Sequence, residues 1–300
     1  MWHFVKSVFV ARDRKLRAVW RLVLAILAFF VWTNGITMLL SYGFDALFTA
    51  WGVTKLNLAQ APGYVRFLAA HYGNLISIVS SLGVAAFACL AAPARERLRP
   101  HPKLFAVGVL VGSAVVLVAA VCFRAFDSVR ATSASPSFTW TPVILLPVLL
   151  AAAVAEEFFA RGYVLRMVAA RANRVWGFLA SAAVFLYVTG GYALGILGVV
   201  NMLLFSLVLC ALSEKWPNWL NVGIRFGWGY VVTSLLAFPG TSGGTPVVTL
   251  YAVSENGLTG GNGGLISGFY MTAVLATAAW FLLLRGVRIR IPFPRRKKRI

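Results

Sequence analysis

Two adjacent carboxylates, Glu156 and Glu157, follow the apolar run Val148-Leu-Leu-Ala-Ala-Ala-Val-Ala, and Arg161 comes four residues after the second. Placing an unpaired charge at mid-bilayer depth costs roughly 2.5 to 3.5 kcal/mol on insertion scales, so this double glutamate needs a partner or a purpose. Adjacent helical residues point about 100° apart, and the two acids therefore cannot share one direction. Glu157 precedes Arg161 by the spacing and order that favour an ion pair. Glu156 is left facing the bundle interior, where a carboxylate can take a proton from water as a candidate general base. A third charge bears on both. Arg225 falls in the middle of another apolar stretch, between Gly223 and Gly227, whose small-x-x-x-small spacing lets helices approach closely. A guanidinium there demands a carboxylate, and Glu156 and Glu157 are the acids of the apolar spans. Paired with Glu156, Arg225 acts as a latch that occupies the place of a water. Beside a still-basic Glu156 it serves instead as a donor to a developing oxyanion. Snorkelling of its head to an interface is the bland alternative.

The elements that must position these charges are membrane helices. Hydrophobic residues make up 60% of the 300 positions and charged ones 12%, with a mean hydropathy of +0.82, too little polar surface for a soluble domain. Apolar stretches long enough to cross a hydrocarbon core of about 30 Å occur near residues 22–44, 72–92, 104–123, 142–159, 175–189, 192–212, 219–238 and 267–284. The expected fold is an all-α polytopic transmembrane bundle of about eight spans. Thr141-Pro142 opens the fourth, with a hydroxyl N-cap and proline at the first helical position, and that helix should run through both glutamates to about Arg166. The net charge of +20 sits in blocks at residues 6–21, 95–103, 161–174 and 285–299, which eight spans bring to one side. The opposite loops hold Lys55, Arg66 and Arg130. That asymmetry places both termini in the cytoplasm. Basic blocks between apolar spans speak for topology and against nucleic acid.

The expected organisation is a basic cytoplasmic arm (1–21), N-terminal transmembrane helices (22–140), a membrane core carrying the acids (141–284) and a basic cytoplasmic tail (285–300). The first apolar stretch is longer than a signal-peptide core and lacks a clear cleavage site, so it reads as an uncleaved anchor. Cys89, Cys122 and Cys210 lie within spans and read as buried small hydrophobes, with no metal-ligand spacing. Gly108-x-x-x-Gly112 and Gly191-x-x-x-Gly195 read as packing faces. The loop Gly260-Gly-Asn-Gly-Gly264 lacks the Lys-Ser/Thr of a phosphate loop. The run Arg295-Arg-Lys-Lys-Arg299 reads as a tail held near anionic lipid.

The segment Glu156-Glu-x-x-x-Arg161-Gly-Tyr at the end of a transmembrane helix resembles the first motif of the CPBP family, the intramembrane endopeptidases that include CaaX prenyl proteases and bacterial Abi-type membrane proteins. Phe185 stands where the family's Phe-x-x-x-His motif begins, Asn201-Met-Leu-Leu resembles the following span, and Trp219-Leu-Asn-Val-Gly-Ile lies where the last motif, His-x-x-x-Asn, is approached. Gly240-Thr-Ser-Gly-Gly244 and Leu258-Thr-Gly-Gly261 resemble the glycine loops of bacterial members. The resemblance implies a helical membrane core, a bacterial inner-membrane location, and a glutamate that activates water for peptide-bond hydrolysis, with two histidines and an asparagine as helpers. Glu156, Glu157 and Arg161 match that pattern. The expected His, His and Asn are Thr189, Arg225 and Gly229, and the chain's histidines, His3, His71 and His101, lie in the N-terminal arm and in loops. A threonine hydroxyl is no useful zinc ligand and glycine offers no side chain, so neither a metal nor another cofactor is expected.

Three functional readings follow. The first is a catalytically degenerate CaaX-protease-like homologue, a pseudoenzyme that acts by binding a membrane-embedded protein or peptide. The second is an active endopeptidase that uses Glu156 with Thr189, Tyr187 or Arg225 as non-standard helpers. The third is a transporter-like protein with a buried charged pathway. Membrane lipid is a partner in all three, and nucleic acid in none.

Overall fold

The computed structural model describes residues 18–54, 57–94, 98–126, 128–133, 140–236, 238, 247–253, 257, 260 and 264–284. Most of the basic arm, the whole basic tail, His3, the 240–244 loop and most of the 258–261 loop lie outside the described residues.

Helices occupy all eight expected positions. They are α1 (Ala18–Ala50), α2 (Gly63–Ala91), α3 (Pro102–Ala125), α4 (Thr141–Glu157), which continues through a π-wound stretch Phe158–Leu165 into α5 (Arg166–Ala169), α6 (Arg174–Val188), α7 (Ile196–Lys215), α8 (Trp219–Tyr230) and α9 (Phe269–Ala279). Among the described residues, five helical segments are long and apolar enough to cross a membrane: Val19–Ala50, Gly63–Ala91, Pro102–Ala125, Thr141–Ala169 and Ile196–Lys215. The helices Arg174–Val188 and Phe269–Leu282 are apolar but shorter. The protein is an all-α polytopic membrane bundle. Its outer surface carries exposed Leu, Val and aromatic side chains along α1, α2 and α3, as a lipid-facing surface does. Polar side chains inside α1 are satisfied locally: Thr33, Asn34 and Thr37 donate to carbonyls one turn back, at 2.9, 2.9 and 2.6 Å.

The sequence gives no hint of one further element. Strands β1 (Val129–Ser133) and β2 (Val248–Ala252) pair antiparallel, with Val129 opposite Ala252 and Ser133 opposite Val248. This ribbon ties the loop after α3 to the loop before α9.

The fourth span departs from expectation at both ends. Trp140 takes the cap position in a helical conformation with no side-chain cap, so the helix begins at Thr141 and Pro142 sits in its first turn, where no amide is required. Beyond Glu157 the winding loosens into a π stretch through Leu165, then tightens to Ala169, three residues past the expected end.

Backbone contact between α3 and α8 fixes the interior. A Cβ at Gly108 or Gly112 would strike the carbonyls of Leu220 or Ile224, and one at Gly223 or Gly227 would strike those of Phe105 or Val109. Two small-x-x-x-small seams thus interlock. The Gly191/Gly195 pair does not repeat this: Gly191 meets Leu186 and Met202, whereas Gly195 has nothing within 4 Å and is no packing face. The main core, built on Val116, Phe123, Phe185, Phe205, Leu209 and Trp228, lies between α3, α6, α7 and α8. A second, with Phe158, Phe159, Val164 and Val222, lies toward α1 and α2.

Candidate functional site

Glu157 and Arg161 lie one turn apart in the fourth span, and both side chains are 0% exposed. Arg161 Nη1 donates to Glu157 Oε1 at 3.0 Å, in the i,i+4 arrangement expected from the spacing. The other arm of the guanidinium crosses to α7, where Nη2 donates to Ser206 Oγ at 2.7 Å and to the Ser206 carbonyl at 3.3 Å. Complete burial also moves Arg161 out of the basic block expected at 161–174. The exposed part of that block begins further along, in the turn after α5.

Glu156 points elsewhere, toward α8. Its Oε2 accepts from Arg225 Nε at 2.9 Å and Nη2 at 2.6 Å. Both side chains are mostly withdrawn from solvent, at 15% exposure for Glu156 and 17% for Arg225. Two guanidinium nitrogens on one carboxylate oxygen make a charge-assisted contact that is strong and orientationally restrictive. Glu156 has no other polar side-chain partner among the described residues.

Phe185 of α6 joins the two ion pairs. The Arg161 guanidinium lies 4.0 Å from its ring centroid and that of Arg225 5.3 Å. Phe205 adds a second face 6.0 Å from Arg225. Aromatic faces attract cations through the ring quadrupole, and that attraction strengthens where water is excluded. The cluster of two glutamates and two arginines is therefore neutral overall and walled by rings.

The cluster also carries uncompensated polarity. Glu157 Oε2, Arg161 Nε, Asn218 Oδ1 and Asn221 Oδ1 are buried without hydrogen-bond partners. The amide of Asn221 is turned to the Leu209 carbonyl at 2.8 Å, and that of Asn218 to the Glu157 carbonyl at 3.5 Å. Buried orphan atoms of this kind, three acceptors and one donor, call for a partner such as water.

The remaining sequence candidates are placed differently. Thr189, at the end of α6, donates its hydroxyl to the Phe185 carbonyl at 2.8 Å. Tyr187 is exposed and stacks on Tyr192 at 6.1 Å. Gly229 offers its carbonyl to Thr233 at 2.7 Å. The structure thus brings Glu156, Glu157, Arg161 and Arg225 together, whereas the Thr189 hydroxyl is taken up by its own helix and Tyr187 is exposed. Ser206, Asn218 and Phe185 as a shared ring escaped the sequence reading. Asn221 lies one helical turn before Arg225 in the stretch Trp219-Leu-Asn-Val-Gly-Ile, which was the one available signal.

A metal does not fit these residues. Both carboxylates are engaged by guanidiniums. No group of three or more His, Cys, Asp or Glu side chains converges among the described residues, and a divalent cation beside Arg161 and Arg225 would meet two positive charges. His71 is hydrogen-bonded with Asn74 at 3.3 Å, and His101 occupies the position before α3.

Residues 138–237 match the family model described as type II CAAX prenyl endopeptidase Rce1-like. Comparison with curated proteins gives no match, and neither does comparison with solved structures. The matched segment holds both glutamates, Arg161, Phe185, Thr189, Arg225 and Gly229, so the likeness falls on the buried charge cluster itself. Across this central third the chain is similar to type II CAAX prenyl endopeptidases of the Rce1-like kind.

Proposed function

We propose that this protein is a catalytically degenerate member of its family, which holds a membrane-embedded protein or peptide without hydrolysing it. The observation that carries the reading is the Glu156–Arg225 pair. A general base needs a lone pair directed at a water, whereas Glu156 Oε2 receives two guanidinium donors within 2.9 Å. An arginine so placed fills the space where water would be activated. The distribution of Lys and Arg supports an orientation with both ends of the chain in the cytoplasm.

The test is cleavage of a broad panel of membrane-anchored peptides by the purified protein and by Arg225→His, scored by mass spectrometry of the products. The wild type should release no fragment. Cleavage by the wild type that Glu156→Gln abolishes would refute the reading.

A second reading, glutamate-dependent hydrolysis with Glu157 as the base, draws on the orphan atoms Glu157 Oε2 and Asn221 Oδ1. A water between them would face a carboxylate that Arg225 does not contact. That reading requires wild-type cleavage which survives Glu156→Gln and disappears in Glu157→Gln.

A further inference from the structure

Remote from the charge cluster, α1 and α2 enclose a half-open cavity of about 470 Å³ between the last turns of α1 and the first turns of α2. Its walls include Asp45, Phe48, Thr49, Thr54, Leu58 and Tyr72. The volume lies within the ~300–1,000 Å³ common to small-molecule sites.

Three features distinguish it from ordinary interfacial packing. First, Asp45 is one of only eight acidic residues in a chain of net charge +20, and its carboxylate has no ion-pair or hydrogen-bond partner among the described residues. Only its backbone carbonyl is engaged, accepting from Thr49 Oγ1 at 2.8 Å. Second, the rings of Phe48 and Tyr72 stand at 79° with centroids 6.0 Å apart, so they form two walls of a corner. Phe44 backs Tyr72 at 5.3 Å, while Trp51 packs edge-on against Phe48 at 6.2 Å. Third, Asn57 ties back to the chain just after α1. Asn57 Oδ1 accepts from the Thr54 amide at 2.6 Å, its Nδ2 donates to the Gly52 carbonyl at 2.8 Å, and Gly52 takes the left-handed turn at φ +66°. Thr54, one of the wall residues, is therefore held by Asn57.

From this juxtaposition we infer a binding site for a quaternary ammonium group, with Asp45 neutralising the charge and the Phe48 and Tyr72 rings contacting the methyl groups. Aromatic walls attract a cation without hydrogen bonds, and a quaternary ammonium, which has no N–H to satisfy, is easily removed from water. A divalent metal finds only one carboxylate here. A primary ammonium must give up strong hydration to enter a half-open aromatic corner. The same chemistry is carried by a choline lipid headgroup and by a free cation, and the helix-end position is open to both.

The experiment uses the full-length protein in phosphatidylglycerol nanodiscs, titrated with tetramethylammonium chloride. Binding is read by calorimetry and by tryptophan fluorescence, with Trp51→Phe identifying the contribution of the neighbouring indole. Saturable binding is expected, with sodium and ammonium chloride giving none at equal ionic strength. Asp45→Asn, nearly isosteric, should weaken it at least tenfold and Phe48→Leu at least fivefold, with the thermal midpoint of each variant unchanged. In phosphatidylcholine nanodiscs, loss of the response identifies the lipid headgroup as occupant, and an unchanged response identifies a free cation. An unsaturating response, equal affinity in Asp45→Asn, or equal affinity for ammonium overturns the inference.

Discussion

Replacing Arg225 with methionine removes both donors to Glu156 Oε2, whose side chain is 15% exposed in the pair, and leaves that carboxylate with no other polar side-chain partner among the described residues. Breaking a largely buried pair from one side destabilises by about 3 to 5 kcal/mol, because the surviving charge is stranded. The converse change, Glu156→Met, strands Arg225, but its guanidinium keeps the faces of Phe185 and Phe205 at 5.3 and 6.0 Å. Those contacts recover about 1 to 2 kcal/mol in a desolvated setting, so this loss should be about 2 to 3 kcal/mol. The double variant exchanges the pair for apolar groups of similar volume and should fall within about 1 kcal/mol of wild type. The coupling energy is then about 4 kcal/mol or more, far beyond the ~0.5 kcal/mol expected of independent sites. Denaturant titration in detergent micelles, followed by tryptophan fluorescence, measures all three variants on one scale. Additive losses, or a double variant less stable than either single one, would refute the reasoning.

Other perturbations test other links. Arg161→Lys should cost roughly 2 kcal/mol despite keeping the charge, since one ammonium cannot span Glu157 Oε1 and Ser206 Oγ together; the same unfolding assay reads it. Gly223→Ala forces a methyl into the Phe105 carbonyl and should destabilise by about 1 to 3 kcal/mol, whereas Gly195→Ala, with nothing within 4 Å, should stay within about 0.5 kcal/mol. Cys210 is wholly buried while Cys89 and Cys122 are partly exposed, so a membrane-permeant maleimide should modify Cys210 only after denaturation, as mass spectrometry of the labelled peptides would show. Green fluorescent protein fused to the C-terminus should fluoresce in cells, as a cytoplasmic end requires.

Much of the architecture was legible because lipid imposes a simple code: a stretch that faces hydrocarbon must be apolar and helical throughout. Every stretch read as a span holds a helix, and the spacing of Glu157 and Arg161 anticipated their ion pair. Contacts within one turn of helix are written in sequence separation; those between helices are not. Ser206 reaches Arg161 across 45 positions, and Phe185 takes up two guanidiniums from two other helices, which no local pattern encodes. The helix before Glu157 was misjudged by one residue, because Trp140 already adopts helical angles and displaces Thr141 from the cap. The Gly191/Gly195 spacing misled for a related reason: a small-residue interval permits close approach, but only a facing helix makes it happen.

The glycine seam also governs motion. With backbone resting on backbone, α3 and α8 can neither slide nor rotate without separating carbonyls from α-carbons, so Arg225 is presented at a constant depth, as if on a rigid post. Displacement of Glu156 must then originate on its own span, where the π-wound residues Phe158–Leu165 immediately follow the acids and offer a looser register than the helix before them. The cluster is thus hinged on one side only, and a one-residue shift of that stretch would swing both carboxylates while every contact between α3 and α8 stayed in place.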